Sequence, residues 1–193
     1  MSDALTMDEA SHTYRVGGRR IPGVTEVLRA AGLTPSMEWV SEYALDRGRQ
    51  VHKAVALYAE GMLDESDLDP VIVPRLAAYK AWRATLEPDV QVVAIEQMRA
   101  SATLNFCGTP DQILRIAGTE VVVELKCGAP HASHAWQGAA YQHLTGAAGR
   151  LGLYLAADGR YKAVPWTNRQ DWPIFQSALA LYAVRAQHNL LPA

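Results

Sequence analysis

Gly108-Thr109-Pro110-Asp111-Gln112-Ile113-Leu114-Arg115-Ile116-Ala117-Gly118-Thr119-Glu120-Val121-Val122-Val123-Glu124-Leu125-Lys126 is the stretch on which the reading of this chain turns. Two runs rich in β-branched residues, Gln112 to Ile116 and Val121 to Leu125, flank Ala117-Gly118, a dipeptide that tolerates positive φ, so a β-hairpin is expected. If Ala117-Gly118 form a two-residue loop, Ile116 pairs with Thr119. Counting outward then sets Asp111 across from Glu124, within about 5 Å. A four-residue loop keeps the same faces, whereas a three-residue loop breaks the alternation. Because strand side chains alternate, Lys126 shares the Glu124 face while Val123 and Leu125 turn into the core. Two carboxylates held that close repel unless a cation sits between them, which favours a hard divalent ion with oxygen ligands.

Pro110-Asp111, a spacer and Glu124-Leu125-Lys126 on adjacent apolar strands resemble the signature of the PD-(D/E)XK nuclease superfamily. Further positions are similar to its RecB-type branch, which includes phage exonucleases and the mitochondrial genome maintenance exonuclease. Gly48 to His52 resembles that branch's Gly-x-x-x-His motif, which implies His52 as a metal ligand. Val90 to Met98 reads as the first strand of the core. Glu96 near its end resembles an acidic residue of such nucleases and is either a second-site metal ligand or a solvated edge carboxylate. Gln137 and Tyr141, one helical turn apart and so on one face, resemble a Gln-x-x-x-Tyr motif.

The resemblance implies a restriction-endonuclease-like α/β fold. Its αβββαβ core would span about residues 47 to 156, with a central mixed sheet flanked by helices and with an N-terminal hairpin and a C-terminal helix added. It also implies that Asp111, Glu124, His52 and the Leu125 carbonyl hold Mg²⁺ or Mn²⁺, one ion or two. Lys126 would be catalytic, with Gln137 and Tyr141 orienting it or a phosphate. Cys107 and Cys127 fall short of the four cysteines of the iron–sulfur relatives, so no such cluster is expected.

The expected activity is that of a deoxyribonuclease, an exonuclease acting on DNA from single-stranded or end-bearing duplex substrates in phage or bacterial recombination and repair. A recombination partner protein fits that setting. Two alternatives stay open: a DNA-binding scaffold that does not cut, and a structure-selective endonuclease.

With 193 residues, 49% apolar and 20% charged, the chain suits a single domain, residues 1 to 193, around one sizeable core. No stretch approaches the roughly 20 apolar residues of a membrane span, and the acidic start argues against a signal peptide, so a cytoplasmic protein is expected. Strand parity turns Cys107 and Cys127 to opposite faces, where both stay thiols. A net charge of −2 hides an uneven distribution. Acidic residues cluster from Asp64 to Asp69, whereas Arg47, Arg49 and Lys53 surround His52 as candidate phosphate contacts. Trp136 beside Gln137, and Tyr14 on an exposed hairpin, are candidate stacking residues, although packing explains most such rings. His131 and His134 are expected on a loop before the Gln137 helix.

Elsewhere, Thr13 to Val16 and Arg19 to Ile21 form a hairpin about Gly17-Gly18, and Val24 to Ala31 a helix closed by Gly32. Ser36 caps a longer helix carrying Trp39, Tyr43, Arg47 and His52, with a break near Gly48. Ile72 to Leu86 has helical periodicity. Arg150 to Ala156 and Tyr161 to Trp166 are strands joined at Asp158-Gly159, and Pro173 opens a terminal helix.

Overall fold

The computed structural model describes residues 4–8, 13–35 and 41–191. A three-stranded antiparallel sheet, β1 (Leu5–Asp8), β2 (Thr13–Val16) and β3 (Arg19–Ile21), is followed by helix α1 (Val24–Ala30). Helices α2 (Glu42–Ala59) and α3 (Val73–Ala84) come next, then β4 (Val90–Ile95) and a small hairpin, β5 (Arg99–Ser101) with β6 (Phe106–Gly108). Strands β7 (Gln112–Ile116) and β8 (Thr119–Lys126), helix α4 (Ala132–Thr145), strands β9 (Gly149–Leu155) and β10 (Tyr161–Pro165), and helix α5 (Asp171–Gln187) complete the order.

The central sheet runs β10-β9-β8-β7-β4. It is mixed because β8 and β9 are parallel, joined by the α4 crossover that such pairing needs, while its other neighbours are antiparallel. Ala117 (φ 47°) and Gly118 (φ 79°) both adopt left-handed backbone, as a type I′ turn requires. The register is therefore the expected one, from Ile116 opposite Thr119 to Gln112 opposite Val123.

Helices cover both faces, which explains the run Val121-Val122-Val123: a strand buried on both sides has little use for polar alternation. Beneath α2 and α3, Leu114, Val123, Leu125 and Leu153 meet Val51, Val55, Leu76 and Tyr79. Burying each such aliphatic side chain contributes roughly 1.5–3 kcal/mol. On the opposite face Val122 and Phe106 pack with α1, α4 and α5 through Val27, Leu28, Ala140, Tyr141 and Phe175. The Trp166 ring fills a slot that Gly138 of α4 and Gly152 of β9 leave open, since a Cβ at either would lie within 2.5 Å of it. This contact draws α4 down onto the sheet.

Several expectations are corrected. The N-terminal hairpin gains β1 as a third strand. Helix α2 starts after an N-cap at Ser41, whose hydroxyl accepts from the Ala44 N–H, and it runs unbroken through Gly48. One glycine costs a helix only about 1 kcal/mol, which packing by Val51, Ala54 and Val55 outweighs. Ser36 and Trp39 lie outside the described residues. The first strand of the core stops at Ile95, because Glu96 turns into left-handed backbone (φ 44°) and redirects the chain before Met98. Tyr14 is buried rather than exposed: its ring packs on Gly23 and its hydroxyl meets Thr109 Oγ1 at 3.0 Å. Cys107 and Cys127 are free thiols. Among the described residues no helix is long and apolar enough to cross a membrane.

Candidate active site

Asp111 sits on a bend one residue before β7, so the backbone ladder ends at Gln112 and does not reach it. The opposition expected between Asp111 and Glu124 takes another form. The Asp111 N–H donates to Glu124 Oε1 at 3.1 Å, and the Leu125 N–H donates to Asp111 Oδ2 at 2.7 Å. Each carboxylate thus caps backbone beside the other. Lys126 Nζ completes the arrangement 3.0 Å from Glu124 Oε2, and His52 Nδ1 lies 3.1 Å from Asp111 Oδ1.

Glu124 is 2% exposed and Lys126 has a side-chain exposure of 15%. Burial, reinforced by the Asp111 charge, pushes the Glu124 carboxyl up to about 7 although Lys126 opposes it. Burial would also raise Asp111, but the His52 and Lys126 charges hold it below its ordinary value. Burial disfavours the charged forms of His52 and Lys126, and the neighbouring carboxylates more than compensate, raising both. The mutual repulsion of two buried carboxylates is met here by protein donors, one for each oxygen.

Two helices on opposite faces of the sheet supply the remaining groups. Helix α2 lays Val51, Ala54 and Val55 against the sheet and thereby carries His52 to Asp111. On α4, Gln137 Oε1 accepts from Lys126 Nζ at 3.0 Å, and Gln137 Nε2 donates to the Tyr141 hydroxyl at 3.2 Å. Tyr141 is 5% exposed, and its hydroxyl faces Gln137 rather than open solvent. Its ring lies over Gly108, where a Cβ would approach Tyr141 Cε1 to 2.5 Å. Glycine at the start of the Gly-Thr-Pro-Asp string is therefore a packing requirement. Tyr14, on the Thr109 hydroxyl, braces the same loop.

The other expected residues divide. Glu96 donates its N–H to the Asp111 carbonyl at 3.0 Å, and its carboxyl is raised by partial burial and the Asp111 charge. Arg47 is half-buried near Cys127, Arg49 pairs with Asp46 at 3.3 Å, and Lys53 is exposed. Trp136 packs against the core shared by α1, α4 and α5. Of the two histidines expected on the loop, His134 belongs to α4 itself, whereas His131 ends that loop. His131 is the N-cap of α4, accepting from the Ser133 N–H at 3.1 Å, and His134 meets the Tyr154 hydroxyl at 3.1 Å. Burial, with help from the Lys126 charge, lowers the His134 imidazole to about 4.

A cleft of about 240 Å³ opens from Lys126 and Gln137 toward Thr25 and Arg29 of α1. Sequence reading missed both. The available signal was their i, i+4 spacing on the polar face of a short helix whose other positions, Val24, Val27 and Leu28, are buried.

Two carboxylates and an imidazole, with a backbone carbonyl at Leu125, form a hard oxygen and nitrogen donor set that suits Mg²⁺ or Mn²⁺. Among the described residues no three His, Cys, Asp or Glu side chains already converge as a metal cage. Their oxygens face Lys126, His52 and backbone N–H groups instead, so a cation would take over contacts that these donors make.

The fold is similar to that of a candidate exonuclease from Eubacterium rectale, 9% identical over 89% of this chain and 83% of that one, with a TM-score of 0.54. An alkaline exonuclease from Laribacter hongkongensis is 12% identical over 87% and 88% of the two chains (TM-score 0.48). A phage-related exonuclease from Haemophilus somnus is 10% identical over 88% and 96% (TM-score 0.42). No family model and no curated protein matches the sequence. At these identities the Eubacterium rectale likeness concerns the fold alone, a mixed central sheet flanked by helices.

Proposed function

We propose that this chain is a single-domain, metal-dependent deoxyribonuclease of the PD-(D/E)XK type, an exonuclease that hydrolyses phosphodiester bonds from DNA ends in recombination or repair. The observation that carries the reading is the position of Lys126 Nζ, 3.0 Å from both Glu124 Oε2 and Gln137 Oε1, beside an Asp111 and Glu124 pair joined through one backbone N–H.

Asp111, Glu124, His52 and the Leu125 carbonyl would hold Mg²⁺ or Mn²⁺, with Glu96 beside Asp111 for a second ion. The bound ion would supply an activated water and charge neutralisation at the phosphate. Lys126 orients that water or stabilises the charge growing on the phosphoryl oxygens. Gln137 keeps the ammonium aimed, and Tyr141 keeps Gln137 in place. The cleft toward Thr25 and Arg29 admits the strand, with Arg29 available to a phosphate across from Lys126. Arg47 supplies positive charge on the α2 side, and Lys53 extends it along the exposed face.

Digestion of end-labelled linear and circular DNA, single-stranded and duplex, with Mg²⁺, Mn²⁺ or EDTA tests this. Metal-dependent loss of linear substrates alone, absent in Lys126→Ala, is the expected result. Cut circles would make the protein an endonuclease. DNA bound but never cut would make it a scaffold.

A further inference from the structure

A cavity of about 560 Å³, within the roughly 300–1,000 Å³ of ligand pockets, opens where β8 and β9 end and β10 begins. Cys127, directly after Lys126, forms part of its wall, with Tyr154, Tyr161, Arg75, Arg160 and Lys162. Among the described residues no carboxylate lines it. Arg160 is committed to Asp158 at 2.6 Å, but among the described residues neither Arg75 nor Lys162 has an acidic partner.

Arg75 is the unusual member. It is 6% exposed, its Nη1 donates to the Val71 carbonyl at 3.0 Å, and its Nε is buried without a partner. A buried guanidinium with neither a counter-ion nor a full set of acceptors is costly unless an anion completes it. Arg47 of α2 is not part of this wall: its guanidinium carbon lies 5.7 Å from the centre of the Tyr43 ring. Register ties the pocket to the candidate active site: Lys126, Tyr154 and Lys162 lie side by side on three adjacent strands.

We infer that this cavity is a nucleotide subsite in which Arg75 and Lys162 bind a phosphate and the walls formed by Tyr154 and Tyr161 accept the attached nucleoside. The inference rests on the nuclease reading, since the pocket is the next station along the strand from Lys126. The shared ligand chemistry is a phosphorylated nucleotide unit, either within the strand or released from it.

Cys127 offers a readout independent of cleavage. In the intact protein with EDTA, alkylation of Cys127 by N-ethylmaleimide is followed by mass spectrometry, with the fully buried Cys107 as the internal control. Deoxythymidine monophosphate at ten times its dissociation constant should slow the reaction about tenfold, because only the empty fraction reacts, while thymidine leaves it unchanged. Lys162→Ala, an exposed substitution that keeps the fold, should raise the half-protecting concentration about tenfold, and Arg75→Lys at least as much. Protection by a tetrathymidylate lacking terminal phosphates, at lower concentration than the monophosphate, assigns the pocket to strand phosphodiesters. Protection by the monophosphate alone assigns it to the released or terminal nucleotide.

No protection by either probe, equal protection by thymidine, or protection unchanged in Lys162→Ala overturns the subsite, and DNA cleavage by the same preparation would leave the nuclease reading standing. Protection without any cleavage would sink the nuclease reading and keep the pocket.

Discussion

Lys126 and Gln137, one at the end of a central strand and the other on the helix above it, meet at 3.0 Å through ammonium and amide oxygen, and the Gln137 amide is itself held by Tyr141 at 3.2 Å. This chain of contacts aims a cation without neutralising it. A glutamine can do so where a carboxylate would form a second ion pair.

Removing the clamp should therefore damage turnover more than binding. Gln137→Ala is expected to lower the single-turnover cleavage rate roughly 10²-fold, the usual cost of a group misplaced by about 1 Å, with KM little changed. Tyr141→Phe, which loses only the hydroxyl that accepts from Gln137, should show a smaller loss. Wild-type rates in a folded Gln137→Ala protein would refute the positioning role.

Gly108 sets the height of Tyr141. Gly108→Ala forces a methyl to within 2.5 Å of the ring and should destabilise the protein by about 1–3 kcal/mol in urea unfolding, with activity falling as well. Gly128→Ala, where the new methyl meets nothing within 4 Å, should stay within about 0.5 kcal/mol. Equal behaviour of the two variants would contradict the packing.

The site also predicts a pH dependence of stability in protein kept free of metal. Glu124, ordinarily 4.5, is raised to about 7, and His52 is raised from 6.5. A group with a raised folded value contributes stability below its unfolded value and loses it as pH climbs through the folded one. Both groups therefore act in the same direction, and Tm should fall between about pH 5 and 8. Asp111, which is lowered, works in reverse but only around and below its ordinary 3.8. Glu124→Gln should remove most of the slope. A wild-type Tm flat across that range would mean that Glu124 is not raised.

Adding Mg²⁺ or Mn²⁺ at about a hundred times its dissociation constant should raise Tm by roughly 5 to 10 °C, since binding to the folded state alone contributes about 2.7 kcal/mol. Asp111→Ala, which also releases His52 and the Leu125 N–H, should abolish the shift. An undiminished shift in that variant would place the metal elsewhere.

Ala117 is the one residue of the tight turn with a Cβ in left-handed backbone, at φ 47°. Ala117→Asn should raise stability by about 0.5–1 kcal/mol in urea unfolding, because asparagine tolerates that conformation better. Destabilisation would mean that the turn prefers its alanine for another reason.

How much of this was legible beforehand follows the range of the forces involved. The Ala117-Gly118 turn, the register it imposes and the alternation that joins Glu124 to Lys126 rest on local sterics and on the two-residue period of a strand, so twenty residues of sequence determined them. His52, Gln137 and Tyr141 were recognisable by resemblance, but their meeting was not, because they come from helices on opposite faces of the sheet. Only packing brings those helices to the same strand ends, through Val51 and Val55 on one face and the Trp166 slot on the other. The same long-range packing kept α2 straight through Gly48, buried Tyr14 under the Asp111 loop and placed Arg29 beside the site. It also decided that protein donors engage every oxygen of Asp111 and Glu124. Local geometry determined which side chains share a strand face, and the burial of two opposed sheet faces decided which of them touch.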